Sequence, residues 1–333
     1  MIKINYPKNI EELTEEYYNR IITKKFNCPP KDSKNIIKKI CDEKWLNKKD
    51  KNLENIFNIL KEKDEEFKEL FKNKTLKQIV LAKPEELKEL LDEFGEIDSS
   101  TITDIFKYSG KFQNEVITEF FTKNFDFTTC YYCNKDLILN FNAPKKTSTF
   151  QLDHFYDKGK YPYLALSFYN LIPSCSTCNS SKVKGSKDCF KYDSRVGKFE
   201  NETCKIPNHK DFDFDQKVKF RLFLTESCKD SNIKNKDNIE IKLKEHYSNE
   251  YDKYIKVFQL NERYQAHKDI VFEMIKNAEL YPESRLKELQ DLTGIPYQQI
   301  KQDIFSLIDD NADLSKEPFS KLKRDMACEL GLI

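Results

Sequence analysis

The chain has 333 residues, 38% of them hydrophobic and 13% aromatic, which is enough apolar surface for two or three packed units and excludes a disordered chain. Its 57 basic residues are nearly balanced by 56 acidic ones, so the molecule lacks the overall positive field of a protein that coats nucleic acid; any basic surface is local. No apolar run of about 18 residues occurs, and the opening MIKINYPKNIEELTEEYYNR is acidic and lacks an apolar signal core, so a soluble, cytoplasmic protein with no membrane partner is expected.

Residues 1–125 read as a helical N-terminal region. Leu53, Ile56, Phe57, Leu60, Phe67, Leu70 and Phe71 recur at the three-and-four spacing of one helix face. A further helix is expected from Pro84, with Leu87, Leu90, Leu91 and Phe94 on one side and Gly95 as its stop. These stripes are core positions. From about residue 126 the texture changes to short β-prone runs separated by Asn, Pro and Lys turns, and residues 126–192 form the expected central module. Residues 193–333 begin with an alternating strand, Val218, Phe220, Leu222 and Leu224, whose partner carries Ile239, Ile241 and Leu243. Helical spacing then returns at Tyr264, His267, Val271, Met274 and Ile275. The expected class is α+β: a mostly helical chain with a small central metal module and a short β element after it.

The module carries the chemistry-bearing pattern. Cys130 and Cys133 form one C-x-x-C and Cys175 and Cys178 a second. Four thiolates from two tight turns suit tetrahedral zinc, and a fully ligated ion of this kind is structural, not catalytic. In a reducing compartment ten cysteines point to metal ligands or buried thiols ahead of disulfides. Cys28, Cys41, Cys189, Cys204, Cys228 and Cys328 lack comparable spacing and are expected mostly as small buried hydrophobes.

Between the cysteine pairs lies FQLDHFYDKGKYPYLALSFYNLIPSCSTCNSSK, in which an Asp-His pair ends an alternating run and Asn179 directly follows Cys178. Over roughly residues 128–187 this resembles the HNH endonuclease family in its zinc-bearing form. The resemblance implies a ββα-metal fold in which His154 ends the first strand, Asn170 is the middle Asn, and Asn179 stands on the helix where the family often has its last His. It further implies that His154 is the general base, that Asn170 helps to aim it, and that Asp153 and Asn179 hold a magnesium ion or another divalent cation. The chemistry suits these residue types, because imidazole titrates near neutrality and hard oxygen donors match magnesium. His209, His246 and His267 have no such company and are expected to be structural.

Residues 130–190 contain eight Lys and four Asp, with neither Glu nor Arg, so the module is the basic part of the chain. Lys182, Lys184 and Lys187 follow the second knuckle on the expected helix, where they either contact backbone phosphates or form a solvated face. Tyr131, Tyr132, Tyr156, Tyr161 and Tyr163 either stack on bases or, the more ordinary role, pack around the small core. The expected activity is hydrolysis of phosphodiester bonds in DNA, with RNA as the other substrate. A looser resemblance to stand-alone bacterial HNH proteins of anti-phage defence, such as the nuclease partner of Septu-type ATPases, implies control by an ATPase or similar sensor. The competing expectations are a noncatalytic zinc module that binds nucleic acid or docks a protein, and an RNA-cleaving toxin.

Overall fold

The computed structural model describes residues 1–26, 28, 36–42, 51–107, 113–190, 192–193, 198–199, 205–228, 233–309 and 311–333. Cys204 lies outside the described residues. The N-terminal region contains helices α1 (Ile10–Thr23), α2 (Ile36–Asp42), α3 (Leu53–Lys63), α4 (Glu65–Leu70), α5 (Leu76–Val80), α6 (Pro84–Phe94), α7 (Ser100–Ile105) and α8 (Glu119–Asn124). The spacing at Leu53 to Phe71 belongs to two helices, because Asp64 closes one and opens the next: its N–H donates to Leu60 O, and its carboxylate caps Phe67 N at 3.0 Å. Phe57, Phe67 and Phe71 still meet in one core, with ring centroids 4.7 to 5.5 Å apart. Helix α6 begins at Pro84 and is closed by Gly95 at φ 62°, a left-handed value that glycine adopts without cost.

Four two-stranded antiparallel pairs follow among the described residues. Strands β1 (Asn140–Ala143) and β2 (Lys145–Ser148) form the first pair, and β3 (Gln151–His154) and β4 (Leu171–Ser174) the second, in register Gln151 to Ser174 and His154 to Leu171. A small pair, β5 (Tyr192–Asp193) and β6 (Lys198–Phe199), precedes helix α9 (Phe214–Lys217). The long hairpin of β7 (Val218–Leu224) and β8 (Ile239–Glu245) has the alternation read from the sequence, with Val218, Phe220, Ile239, Ile241 and Leu243 buried in the core and Phe220 opposite Leu243. Leu224, at the loop end of the hairpin, is exposed although it continues the apolar alternation.

The C-terminal helices are α10 (Asp252–Val257), α11 (Leu260–Gln265), α12 (Lys268–Leu280), α13 (Glu283–Thr293), α14 (Tyr297–Phe305) and α15 (Ser320–Glu329). Tyr264 and the Val271, Met274 and Ile275 face are buried, with His267 at the junction between α11 and α12. No described helix is long and apolar enough to cross a membrane.

The expected α-helix after β4 is absent: residues 176–186 run through consecutive turns. Ser180 closes one of them, donating to Thr177 O at 2.8 Å while its own carbonyl accepts from Gly185 N at 2.9 Å. Gly185 has φ 49°, and a Cβ there would lie 3.1 Å from Ser181 Cα. Local serine bonds and a left-handed glycine compete successfully with helix in this segment. Cys28 and Cys41 also depart from expectation, forming a disulfide instead of remaining thiols.

Candidate metal centre and catalytic hairpin

The two knuckles converge. The sulfurs of Cys130, Cys133, Cys175 and Cys178 all lie within 4.8 Å of one another, and all four residues are buried. Each knuckle is a hydrogen-bonded turn: Asn134 N donates to Cys130 O at 2.8 Å, and Asn179 N to Cys175 O at 3.1 Å. Asn134 takes φ 53° there, and its side chain reaches the C-terminal segment, donating to Leu314 O and accepting from Lys321 N.

Burial pushes the Cys130 and Cys178 thiols up, and repulsion from a neighbouring thiolate at Cys133 adds to it. At Cys133 burial acts in the same direction but is outweighed by hydrogen bonds from the other three sulfurs, so its thiol is held well below the usual range. Burial of this kind limits the negative charge that closely spaced sulfurs hold on their own. A dication removes that limit by binding four thiolates, and the donor set and its closeness fit a metal such as zinc.

His154 ends β3 and is 7% exposed. Its Nε2 lies 3.0 Å from Ala165 O. Since a carbonyl only accepts, Nε2 carries the proton and Nδ1 is the basic nitrogen of the neutral ring. Burial, and then the nearby Lys158 ammonium, bring its pKa down to about 3, so the ring is neutral at pH 7. Asn170 is fully buried and clamps the loop after β3: its Oδ1 accepts from Tyr156 N at 2.8 Å, and its Nδ2 donates to Tyr156 O and Leu164 O. Its backbone carbonyl accepts from Phe155 N at 3.0 Å. Asn170, the residue that precedes β4, is thereby tied to the residues that follow His154.

Asp153 is buried with its carboxylate engaged. Oδ2 accepts from the Tyr132 hydroxyl at 2.7 Å, and Lys184 Nζ lies 3.1 Å from Oδ2 and 3.3 Å from Oδ1. Burial raises the Asp153 pKa, with the Lys184 and Tyr132 contacts offsetting part of that rise. Burial works against the Lys184 ammonium as well, but Asp153 more than compensates and the ammonium keeps its proton. Asn179 donates from Nδ2 to Gln151 Oε1 at 3.0 Å; Gln151 is two residues from Asp153 on the same face of β3. As arranged, Asp153 does not fit a divalent cation, because both of its oxygens are already engaged by Tyr132 and Lys184; the bond to Gln151 uses only the Asn179 amide nitrogen.

Lys184 is 1% exposed and also donates to His154 O at 2.6 Å, so it faces inward and offers nothing to a phosphate. Lys182 and Lys187 are exposed. The five tyrosines Tyr131, Tyr132, Tyr156, Tyr161 and Tyr163 are all buried in the core. His209 accepts from Asp211 N, His246 contacts Arg221, and His267 packs on Phe319 with ring centroids 4.7 Å apart.

The contacts of four residues at the centre escaped sequence reasoning. Tyr132 sits inside the first knuckle and Lys158 in the loop after β3, positions that spacing alone does not orient. Asp136 follows the first knuckle, with Oδ2 3.0 Å from Cys175 Sγ. Arg263 on α11 donates to Cys178 Sγ at 3.2 Å from 85 residues away, and no local signal announces it. A cleft of about 730 Å³ lies elsewhere, bounded by α1, α5, α6 and Tyr169, and does not include His154. No protein-family model, no curated protein and no solved structure matches the chain.

Proposed function

We propose that the chain is an endonuclease that hydrolyses phosphodiester bonds in DNA, with His154 as general base. The observation that carries this reading is the neutral imidazole at the end of β3, held by the Ala165 carbonyl and followed by the loop that Asn170 clamps. Nδ1 of His154 takes the proton of an attacking water. A buried base with a pKa near 3 is weak, and the substrate itself corrects this: a phosphodiester anion beside the ring favours imidazolium and raises its pKa as the complex forms. Lys158 then faces the anion instead of opposing the imidazolium alone. Lys182 and Lys187 supply exposed charge for backbone phosphates. Cys130, Cys133, Cys175 and Cys178 would hold a zinc ion that would supply folding free energy to this small module and no reactive position.

The resemblance to anti-phage proteins makes defence against foreign DNA the setting of this proposal and an ATPase or similar sensor its partner. A second reading, a zinc-dependent module that binds nucleic acid or docks a protein without cutting, is favoured by the burial of Asp153 against Lys184. Plasmid nicking separates the two. Full-length protein is expected to nick supercoiled DNA in buffer containing magnesium, and His154→Ala to lose at least about a hundredfold in rate while retaining zinc, in keeping with the size of general-base contributions. Equal rates for the two proteins would refute the assignment of His154. Cleavage of RNA in preference to DNA would replace the substrate by RNA.

A further inference from the structure

The surroundings of the four sulfurs contain charges of opposite effect. A dication bound by four thiolates leaves two net negative charges in a buried place. Arg263, whose side chain is 12% exposed, directs Nη1 at Cys178 Sγ from 3.2 Å. Its Nη2 lies 3.4 Å from Asp136 Oδ2. The same Asp136 oxygen is 3.0 Å from Cys175 Sγ and 3.7 Å from Cys133 Sγ, while its other oxygen pairs with Lys135 Nζ at 2.9 Å.

The two contacts respond differently to metal. A guanidinium is a cation and only donates, so its contact with Cys178 Sγ stabilises a metal-bound thiolate there. A carboxylate carries the same sign of charge as a metal-bound thiolate, so Asp136 Oδ2, in contact with Cys175 Sγ and near Cys133 Sγ, opposes the charge that the bound metal leaves on those sulfurs. We propose that Arg263 and Asp136 form an opposed pair outside the metal's own ligands, Arg263 retaining the metal and Asp136 promoting its release. Arg263 belongs to α11, in the C-terminal region, and its neighbour Tyr264 donates its hydroxyl to Cys133 O. Metal retention in the module therefore depends on the C-terminal helices being docked against it. This inference does not rest on the nuclease reading.

The test is the rate at which full-length, zinc-loaded protein yields zinc to an excess of a chromogenic chelator. Replacing an outer partner of a metal ligand commonly changes affinity by about 10- to 100-fold. Arg263→Met is expected to release zinc about tenfold faster than wild type, Arg263→Lys to fall between, and Asp136→Asn to release it roughly threefold slower. Cobalt-loaded samples of each variant, judged by the thiolate charge-transfer absorption, establish that all four sulfurs still bind. Asp136→Asn decides the matter even where Arg263→Met folds poorly, because damaged structure does not slow metal release. Wild-type release from Arg263→Met, or release from Asp136→Asn as fast as or faster than wild type, overturns the proposal.

Discussion

At the residue scale the governing interaction is the contact of Lys184 with Asp153 and with the carbonyl of His154. Two buried charges cost desolvation, and each is tolerated only because the other is present. Removing the ammonium leaves a buried carboxylate whose remaining donor is the Tyr132 hydroxyl. Lys184→Met is therefore expected to lower unfolding free energy by about 3–5 kcal/mol in urea titrations, and Lys184→Met combined with Asp153→Leu to recover much of it. A loss under about 1 kcal/mol for the single variant would show that the pair is not the fastening described here. Lys182, Lys184 and Lys187 look alike in sequence. A charge reveals its sign but not its direction, and the inward turn of Lys184 depends on a backbone path that the cysteine spacing does not specify.

At the scale of elements, the parts written by local chemistry were legible and those written by competition between local and distant forces were not. The β7–β8 pairing follows from alternation at Val218, Phe220, Ile241 and Leu243, and α6 from Pro84, its leucine stripe and Gly95. The division at Asp64 was hidden because the apolar spacing continues through it while a single carboxylate caps the second helix. The segment after Cys178 was expected as helix by resemblance, whereas its serines, Gly185 and the inward Lys184 hold it in turns. Gly185→Ala tests that conformation. The strained φ and the close approach to Ser181 are expected to cost about 1–2 kcal/mol, measured as a shift in the urea midpoint; an unchanged or raised midpoint would mean that the turn relaxes without cost.

At the scale of the whole molecule, the candidate metal centre joins stretches far apart in the chain. The knuckle at Cys130 contacts the C-terminal segment through Asn134, the knuckle at Cys178 contacts α11 through Arg263, and Lys184 ties the second knuckle to the strand that carries His154. The pairing of the two C-x-x-C turns was readable because thiolate spacing is a local signature of metal binding. Arg263 was not readable, since it reaches the centre by tertiary folding, and spacing did not show that Asp136 and Tyr132, beside the first knuckle, turn toward Cys175 and Asp153. The central claim is that four sulfurs hold a metal and thereby present His154 to a phosphodiester. Its most direct test is the plasmid-nicking rate of full-length protein as a function of zinc content. Cleavage should fall with zinc as the protein is stripped by chelation, and return when one zinc per chain is restored at constant magnesium. Stripped protein that cuts DNA as fast as the loaded form would contradict it.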